Sequence, residues 1–298
     1  MTPGIRPLIP AVLLAVPLGL RLADIRIWPL ALLHHFPLQL ALLAGLTALV
    51  ILLSRRPRAA AATLMIAAGH LIVWLSSPGT HPPSAITTAH AHAPVDLRVV
   101  THNVLYKTTP DERTLDWLAG TNADLIGLVE VTEPWHRALS VFDDAFPHRH
   151  DVRRMHTSSN GLTLLSRHPL DNARGVRLPG TPLHLLRAGV DAPGGAAEVL
   201  LVHPPSPRHK LNQELRDRVI REIARMIAAT PGRWIVLGDF NLTPYSPVMS
   251  DFLSKTGLTL GRTTASWPAA AGPLGIPIDH VLARGYLIRA RTSGPWLT

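Results

Sequence analysis

The sequence contains no cysteine among its 298 residues. Disulfide bonds, thiolate nucleophiles and cysteine-bound zinc are therefore excluded. The chain also lacks the phosphate-loop pattern G-x-x-x-x-G-K and any internal repeat. It is thus neither a disulfide-stabilised scaffold, nor a P-loop nucleotide enzyme, nor a repeat protein.

The formal net charge of +9 does not identify a partner. The first 96 residues hold six arginines and two aspartates, a net charge of +4, and the remainder carries +5. This positive excess is modest and spread out. It is compatible with a polyanionic substrate without indicating one.

Charged residues are scarce in three apolar runs near the N-terminus, and the mean hydropathy of the chain, +0.19, is high for a purely soluble protein. The runs are Pro7–Leu20, Phe36–Leu53 and Ala59–Leu75. The second and third contain no formally charged side chain, and at about 1.5 Å per residue each nearly spans the hydrocarbon core of a bilayer. The first is shorter and could be a signal-peptide core, although no A-x-A-like cleavage site follows it. We therefore predict a membrane anchor of roughly three transmembrane helices in residues 1–76.

An arginine-rich turn predicts the orientation of this anchor. Three arginines fall in the short loop 54–58, which the positive-inside rule keeps in the cytoplasm. The third helix then runs outward, so we predict a multi-pass protein of the cell membrane whose following region is extracytoplasmic. Arg21 and Arg26 would lie on the outer side, against the rule. Residues 77–96, rich in Pro, Ser, Thr and His, are expected to form an exposed linker.

Beyond residue 97 the pattern changes to short apolar runs that alternate with helical segments. The predicted strands are Leu97–Val104, Ala123–Val131, Gly161–Ser166, Glu198–His203, Trp234–Asp239 and Ile278–Ala283. The predicted helices are Pro110–Gly120 and Leu211–Ala229, the latter with an apolar residue at every fourth position. Strands separated by helices and loops indicate α/β layers in a domain covering residues 97–298.

Polar side chains stand at the ends of several predicted strands. They are Asn103, Glu130, His203, Asp239, Asn241 and Asp279. Strand ends at one edge of a sheet can bring side chains together around a ligand. Carboxylate and amide oxygens suit a hard cation such as Mg²⁺ or Mn²⁺ rather than zinc. Hydrolysis of a phosphate ester needs such a cation, a base for the attacking water and donors for the developing charge.

Six motifs in this region resemble those of the endonuclease/exonuclease/phosphatase superfamily and occur in its order. Gly238-Asp239-Phe240-Asn241 matches the G-D-F-N signature. The other five are Thr101-His102-Asn103-Val104, Ala123–Val131, Asn160-Gly161-Leu162 with Leu165-Ser166-Arg167, Leu201-Val202-His203, and Ile278–Leu282. Each of these is weak alone, but together they cover nearly the whole region.

The resemblance implies a four-layered α/β sandwich of two mixed β-sheets with helices outside, and metal-dependent hydrolysis of a phosphate ester in a nucleic acid, a lipid or an inositol phosphate. It further implies a role for each strand-end residue. Glu130 would ligate the cation with Asn103 beside it, and Asp239 would orient or deprotonate the water. Asn241 would hold that water and the scissile phosphate, His203 would contact or protonate the phosphate, and Asp279 would orient a catalytic histidine.

Simpler interpretations remain open for each of these positions. Asn103 could close a turn, Glu130 could be solvated, the Asp239–Asn241 segment could be a plain turn, and His203 could cap a loop. His280 is not expected to be catalytic, because neighbours on a strand face opposite ways.

The superfamily also ends on an S-D-H motif, which does not occur before Thr298. Either a longer chain supplies that motif, or another histidine replaces it, or the domain is a catalytically silent binding module.

Overall fold

The computed structural model describes residues 9–80, 97–153, 161–192, 195–286 and 288. Most of the predicted linker therefore lies outside the described residues. The chain divides into two compact units. One comprises Met1–His81 with Thr243–Asp251, and the other comprises Pro82–Leu242 with Phe252–Thr298.

The first unit contains three apolar helices, in agreement with the three apolar runs. They are α1 (Ile9–Leu22), α2 (Pro37–Leu53) and α3 (Pro57–Ser76), and a 3₁₀ helix (Leu30–His35) precedes α2. Proline begins both α2 and α3, where a missing N–H costs no helical hydrogen bond. The two helices pack against each other, and Arg55 in the turn between them has a φ of 57°.

These helices bury small residues and expose large ones. Ala44, Ala48 and Thr63 are almost fully buried, whereas Leu46 and Met65 expose 61% and 70% of their surface. Soluble bundles show the opposite distribution, while membrane helices pack through small residues. Among the described helices, α3 alone has the length and composition to cross a membrane, and α1 and α2 are apolar but shorter.

The second unit is built on two mixed β-sheets. The first sheet contains β1 (Val99–Asn103), β2 (Leu125–Val129), β3 (His148–Val152) and β4 (Leu162–Ser166) in the order β1-β2-β4-β3, with β1 and β2 parallel. The second contains β5 (Leu170–Arg177), β6 (His184–Ala192), β7 (Gly195–Val202), β8 (Trp234–Asp239), β9 (Thr259–Leu260) and β10 (Asp279–Arg284). Its order is β5-β6-β7-β8-β10-β9, with β7 and β8 parallel. Every predicted strand is present, while β3, β5, β6 and β9 lack a counterpart in the prediction.

The two sheets pack face to face across an apolar core that includes Leu164, Leu201 and Leu237. Gly127 of β2 shows how closely they approach, because a Cβ there would lie 2.6 Å from Cδ1 of Leu237.

Three α-helices and part of a fourth accompany the sheets in the described part of the second unit. They are α4 (Glu112–Gly120), α5 (Glu133–Ala138), α6 (Lys210–Ala229) and the end of α7 (Pro247–Thr256). A second apolar cluster contains residues of α4 and α5 together with residues of β2 and β4. The predicted sandwich of two mixed sheets with flanking helices is confirmed.

Helix α6 agrees with the predicted helix to within one residue, but its buried face differs. Val219 and Ile223 are fully buried as expected, whereas Leu211 exposes 70% of its surface. Each step of four residues advances about 40° beyond a full turn of 3.6 residues. A stripe drawn through every fourth residue therefore drifts off the buried face, and its first member, Leu211, is exposed.

Two leucine truncations test this assignment of core and surface. Leu164→Ala should lower the free energy of unfolding by about 2–5 kcal/mol, because it leaves a cavity between the sheets. Leu211→Ala removes the same atoms from an exposed position and should change it by less than about 0.5 kcal/mol. Urea unfolding followed by tryptophan fluorescence measures both. Equal losses for the two variants would contradict the placement of the core.

Candidate active site

The polar strand-end residues occupy matching ends of neighbouring strands. Asn103 is the last residue of β1, and Glu130 directly follows β2, which is parallel to it. His203 follows β7, and Asp239 closes β8, which is again its parallel neighbour. Asp279 begins the antiparallel strand β10 directly opposite Asp239. Since parallel strands end at the same edge of a sheet, each sheet gathers its own set of polar groups at one edge.

The side chain of Asn103 joins the two sets. Its Nδ2 donates to Oε1 of Glu130 at 2.9 Å and to Oδ2 of Asp239 at 3.1 Å. Its Oδ1 accepts the N–H of Leu105 at 2.8 Å, so closing a turn is only part of its role. The N–H of Tyr106 donates to the other carboxylate oxygen of Glu130 at 3.0 Å. The amide of Asn103 therefore lies within hydrogen-bond distance of both carboxylates, Glu130 and Asp239.

Glu130 has an unusual backbone conformation, with a φ of 62°. Such a conformation costs a non-glycine residue about 1–3 kcal/mol and persists only where its surroundings determine it. Only 13% of the Glu130 side chain is exposed. The simpler interpretation of a solvated glutamate is therefore wrong.

The G-D-F-N segment comprises the last two residues of β8 and the two residues that follow, where the chain turns. Gly238 has a φ of 135°, and a Cβ there would lie 2.0 Å from the carbonyl oxygen of Val202, so only glycine fits. Asn241 adopts a φ of 48°, and its N–H donates to Oδ1 of Asp239 at 2.7 Å. Its Nδ2 donates to the carbonyl of Pro204 at 3.0 Å. The segment is a turn, and it is one that fixes both the aspartate and the asparagine.

Burial dominates the protonation of the site. The pKa of Asp239 is raised to about 7, mainly by burial and to a smaller extent by the nearby carboxylate of Glu130. The hydrogen bonds from Asn241 and Asn103 lower it and offset part of this rise. Burial also lowers the pKa of His203, while Glu130 and Asp279 act in the opposite direction. Nε2 of His203 lies 3.4 Å from Oε1 of Glu130, so the imidazole faces the carboxylates rather than only capping a loop.

Two residues that the sequence did not indicate as site residues donate hydrogen bonds to the backbone of this turn and of the residue after it. Arg216 of α6 is 2% exposed, and its Nη1 donates to the carbonyl of Asn241 at 3.0 Å. His280 is fully buried, and its Nε2 donates to the carbonyl of Leu242 at 2.8 Å. For Arg216, the available signal was an arginine within the buried face of an amphipathic helix. Nothing local in the sequence indicated that it bonds the carbonyl of Asn241.

The donor set fits one hard divalent cation. Among the described residues there is no group of three or more His, Asp or Glu side chains arranged to hold a metal. Glu130 and Asp239 nevertheless place two largely buried carboxylates around one amide, and Mg²⁺ is commonly held by one or two carboxylates plus water and substrate oxygens. The raised pKa of Asp239 supports this fit, because a nearby positive charge would relieve the cost of ionising it.

Residues 100–298 match the profile of the Endonuclease/Exonuclease/phosphatase family. The chain belongs to this family. The matched region includes all six of the predicted site residues. No functionally curated protein matches the chain in sequence.

Solved structures of the family share the fold of this member at low sequence identity. Sphingomyelinase C from Streptomyces griseocarneus is 17% identical with a TM-score of 0.52, over 66% of this chain and 86% of that one. TDP2 of D. rerio, in complex with a single-strand DNA product, is 16% identical with a TM-score of 0.50, over 67% and 86%. A beta toxin mutant from Staphylococcus aureus with bound magnesium ions is 15% identical with a TM-score of 0.50, over 63% and 84%.

The raised pKa of Asp239 predicts a pH dependence of stability. Its pKa of about 7 in the folded, metal-free protein exceeds the ordinary value of 3.8, so the folded state binds more protons between these values. The free energy of unfolding should therefore fall as pH rises from about 4 to 7, by up to about 1.4 kcal/mol per pH unit from this group. Urea unfolding in the presence of a chelator measures the slope. Asp239→Asn should flatten it and Asp143→Asn, at an exposed position, should not; an unchanged slope in Asp239→Asn would contradict the assignment.

Proposed function

We propose that the protein is a divalent-metal-dependent phosphodiesterase or phosphatase whose active site faces the outer side of the cell membrane. The observation that supports it most is the side chain of Asn103, which joins the buried carboxylates of Glu130 and Asp239. Two largely buried carboxylates that share one amide donor favour a site that uses positive charge. A bound Mg²⁺ or Mn²⁺ would supply that charge and polarise the phosphoryl oxygens.

Asp239 is the proposed base for the attacking water. With a divalent cation beside it, Asp239 would be ionised at neutral pH, as an acceptor of the water's proton must be. Its Oδ1 accepts the N–H of Asn241, and its Oδ2 accepts the amide of Asn103, so both oxygens are oriented by donors. This fixed orientation directs the carboxylate toward one position for the water.

The other site residues contact the phosphate in this proposal. The lowered pKa of His203 keeps its imidazole neutral at pH 7, so one ring nitrogen can donate to a phosphoryl oxygen. The amide of Asn241 is oriented by the Pro204 carbonyl and would hold the water and the phosphate. The backbone of Asp279 is fixed by the hydroxyl of Ser266, which accepts its N–H at 3.2 Å. By resemblance to the family, Asp279 would orient a histidine.

The proposed membrane location rests on the first unit. Its helices expose large apolar side chains and bury small ones, which suits contact with lipid. The arginine turn 54–58 carries the positive charge expected of a cytoplasmic loop. Arg21 and Arg26, at the opposite ends of the helices, have bonded partners. Arg21 donates to the carbonyl of Tyr245, and Arg26 pairs with Asp24 and Asp251. In this proposal, these bonds offset the cost of placing two arginines on the outer side.

The proposed substrate is a phosphodiester. Relatives of the same fold include a sphingomyelinase and a TDP2 structure with a single-strand DNA product, so the scaffold accommodates lipid and nucleic-acid esters. A membrane anchor favours a lipid or another substrate at the cell surface.

Metal-dependent turnover is the direct test of the proposed chemistry. The purified full chain should hydrolyse bis-p-nitrophenyl phosphate with Mg²⁺ or Mn²⁺, and Asp239→Asn should lower kcat by about 10²–10⁴-fold, because it removes the base. Mg²⁺ should also raise the melting temperature, since it binds only the folded site, and Glu130→Gln should abolish that rise.

Two surface variants serve as controls for these measurements. Asp143→Asn and Glu112→Gln change exposed carboxylates outside the site and should leave turnover and the thermal shift unchanged. Turnover that persists in a chelator, or that survives Asp239→Asn, would contradict the proposed function.

The orientation is tested by protease accessibility. If loop 54–58 is cytoplasmic, protease added to intact spheroplasts should digest the region after residue 76 without lysis. A tag inserted in loop 54–58 should stay protected until the membrane is broken. The reverse pattern would show that the orientation is inverted.

A further inference from the structure

A short segment that follows the G-D-F-N turn belongs to the N-terminal helical unit. Thr243–Asp251 begins two residues after Asn241, yet it forms one compact unit with the apolar helices. We call it the docked segment. Its partners in that unit lie between 171 and 225 positions earlier in the sequence.

The first contact joins the docked segment to the end of the 3₁₀ helix. Nδ1 of His35 lies 2.8 Å from Oγ1 of Thr243 and 3.3 Å from its backbone nitrogen. One tautomer satisfies both contacts, because an unprotonated Nδ1 accepts from the hydroxyl and from the N–H. His35 and Thr243 are both buried. If the segment withdrew, the His35 imidazole and the Thr243 hydroxyl and N–H would lose their hydrogen bonds to each other. A buried polar group without a hydrogen-bond partner is costly.

Further contacts come from the ends of α1 and α3. Arg21 donates to the carbonyl of Tyr245, and Nε1 of Trp74 donates to the Tyr245 hydroxyl at 3.2 Å. Nη1 of Arg26 lies 2.7 Å from Oδ2 of Asp251. The docked segment is thus bonded at its first, third and last residues, Thr243, Tyr245 and Asp251.

The residues between the site and the docked segment are also fixed. The carbonyls of Asn241 and Leu242 accept hydrogen bonds from Arg216 and His280. The next residue, Thr243, is bonded to His35. Asn241 has a φ of 48°, in the left-handed region that asparagine tolerates better than most residues. The chain that follows it is bonded within the helical unit from Thr243 onward.

We propose that the N-terminal helical unit is a positioning element for the active site: His35, through Thr243, fixes the backbone that follows Asn241. The anchor then does more than tether the enzyme. This inference rests on the proposed function, since it concerns the residue held to contact the water and the phosphate. A misplacement of about 1 Å can cost about 10²-fold in rate, so loosening this contact affects turnover without removing any catalytic group.

Three histidine variants of the full chain in detergent test the proposal. His35→Leu should speed amide hydrogen exchange in peptides covering Thr243–Asp251 and lower kcat by about tenfold or more, with KM little changed. His35→Asn keeps a polar atom near the Nδ1 position and should retain most of both properties. His70→Leu is the matched control. His70 is another buried histidine of the same unit, and it bonds Leu14 rather than the docked segment.

A milder variant guards against loss of folding. Thr243→Val preserves side-chain volume, removes the hydroxyl, and should shift exchange and kcat in the same direction as His35→Leu. If His35→Leu and Thr243→Val leave exchange and kcat unchanged, or if His70→Leu has the same effects, the proposal is overturned. If the wild-type chain shows no turnover while His35→Leu still speeds exchange in the segment, the docking stands and the proposed function fails.

Discussion

The active site depends on one interaction, the bridge from the amide of Asn103 to the carboxylates of Glu130 and Asp239. Two carboxylates in a site of low dielectric constant repel each other, and burial alone already penalises their ionisation. A single NH₂ group that donates to both offsets part of this cost while leaving oxygen lone pairs for a cation. The raised pKa of Asp239 shows that ionising this carboxyl group still costs free energy in the metal-free site. A bound divalent ion would lower that cost and bring the pKa down.

The fold makes this bridge possible because each carboxylate comes from a different sheet. Gly127 allows β2 to approach Leu237 of β8 in the other sheet, and Gly238 allows β8 to lie close to the carbonyl of Val202 on its neighbour β7. Both glycines occupy positions where a Cβ would collide. The close approach of β2 and β8 brings the strand ends that carry Glu130 and Asp239 to the amide of Asn103.

Much of this site could be predicted from the sequence, because its residues follow apolar strands directly. Glu130, His203 and Asp239 each end or follow such a strand, and the structure places them as that pattern indicates. Their roles in metal binding and catalysis stay predictions. The strand β5 could not be predicted, since half of its residues are charged or amide side chains and its apolar residues do not alternate regularly. The burial of Arg216 depends likewise on a carbonyl 25 positions away.

The docked segment shows the same limit most clearly. Nothing in Thr243–Asp251 indicates its partners, because His35 and Arg26 lie in a part of the chain whose composition indicates a membrane anchor. Only the folded structure relates the two, because Thr243 directly follows Leu242 and bonds to His35.

Proton release on Mg²⁺ binding is the most direct test of the central claim that Glu130 and Asp239 form one cation site with a raised Asp239 pKa. Titration calorimetry at one pH in buffers of different ionisation enthalpy counts the protons released. At pH 6 the account predicts release of roughly one proton per ion, because Asp239 is then mostly protonated, and at pH 8 it predicts close to none. Binding without proton release at pH 6, or no binding at either pH, would contradict it.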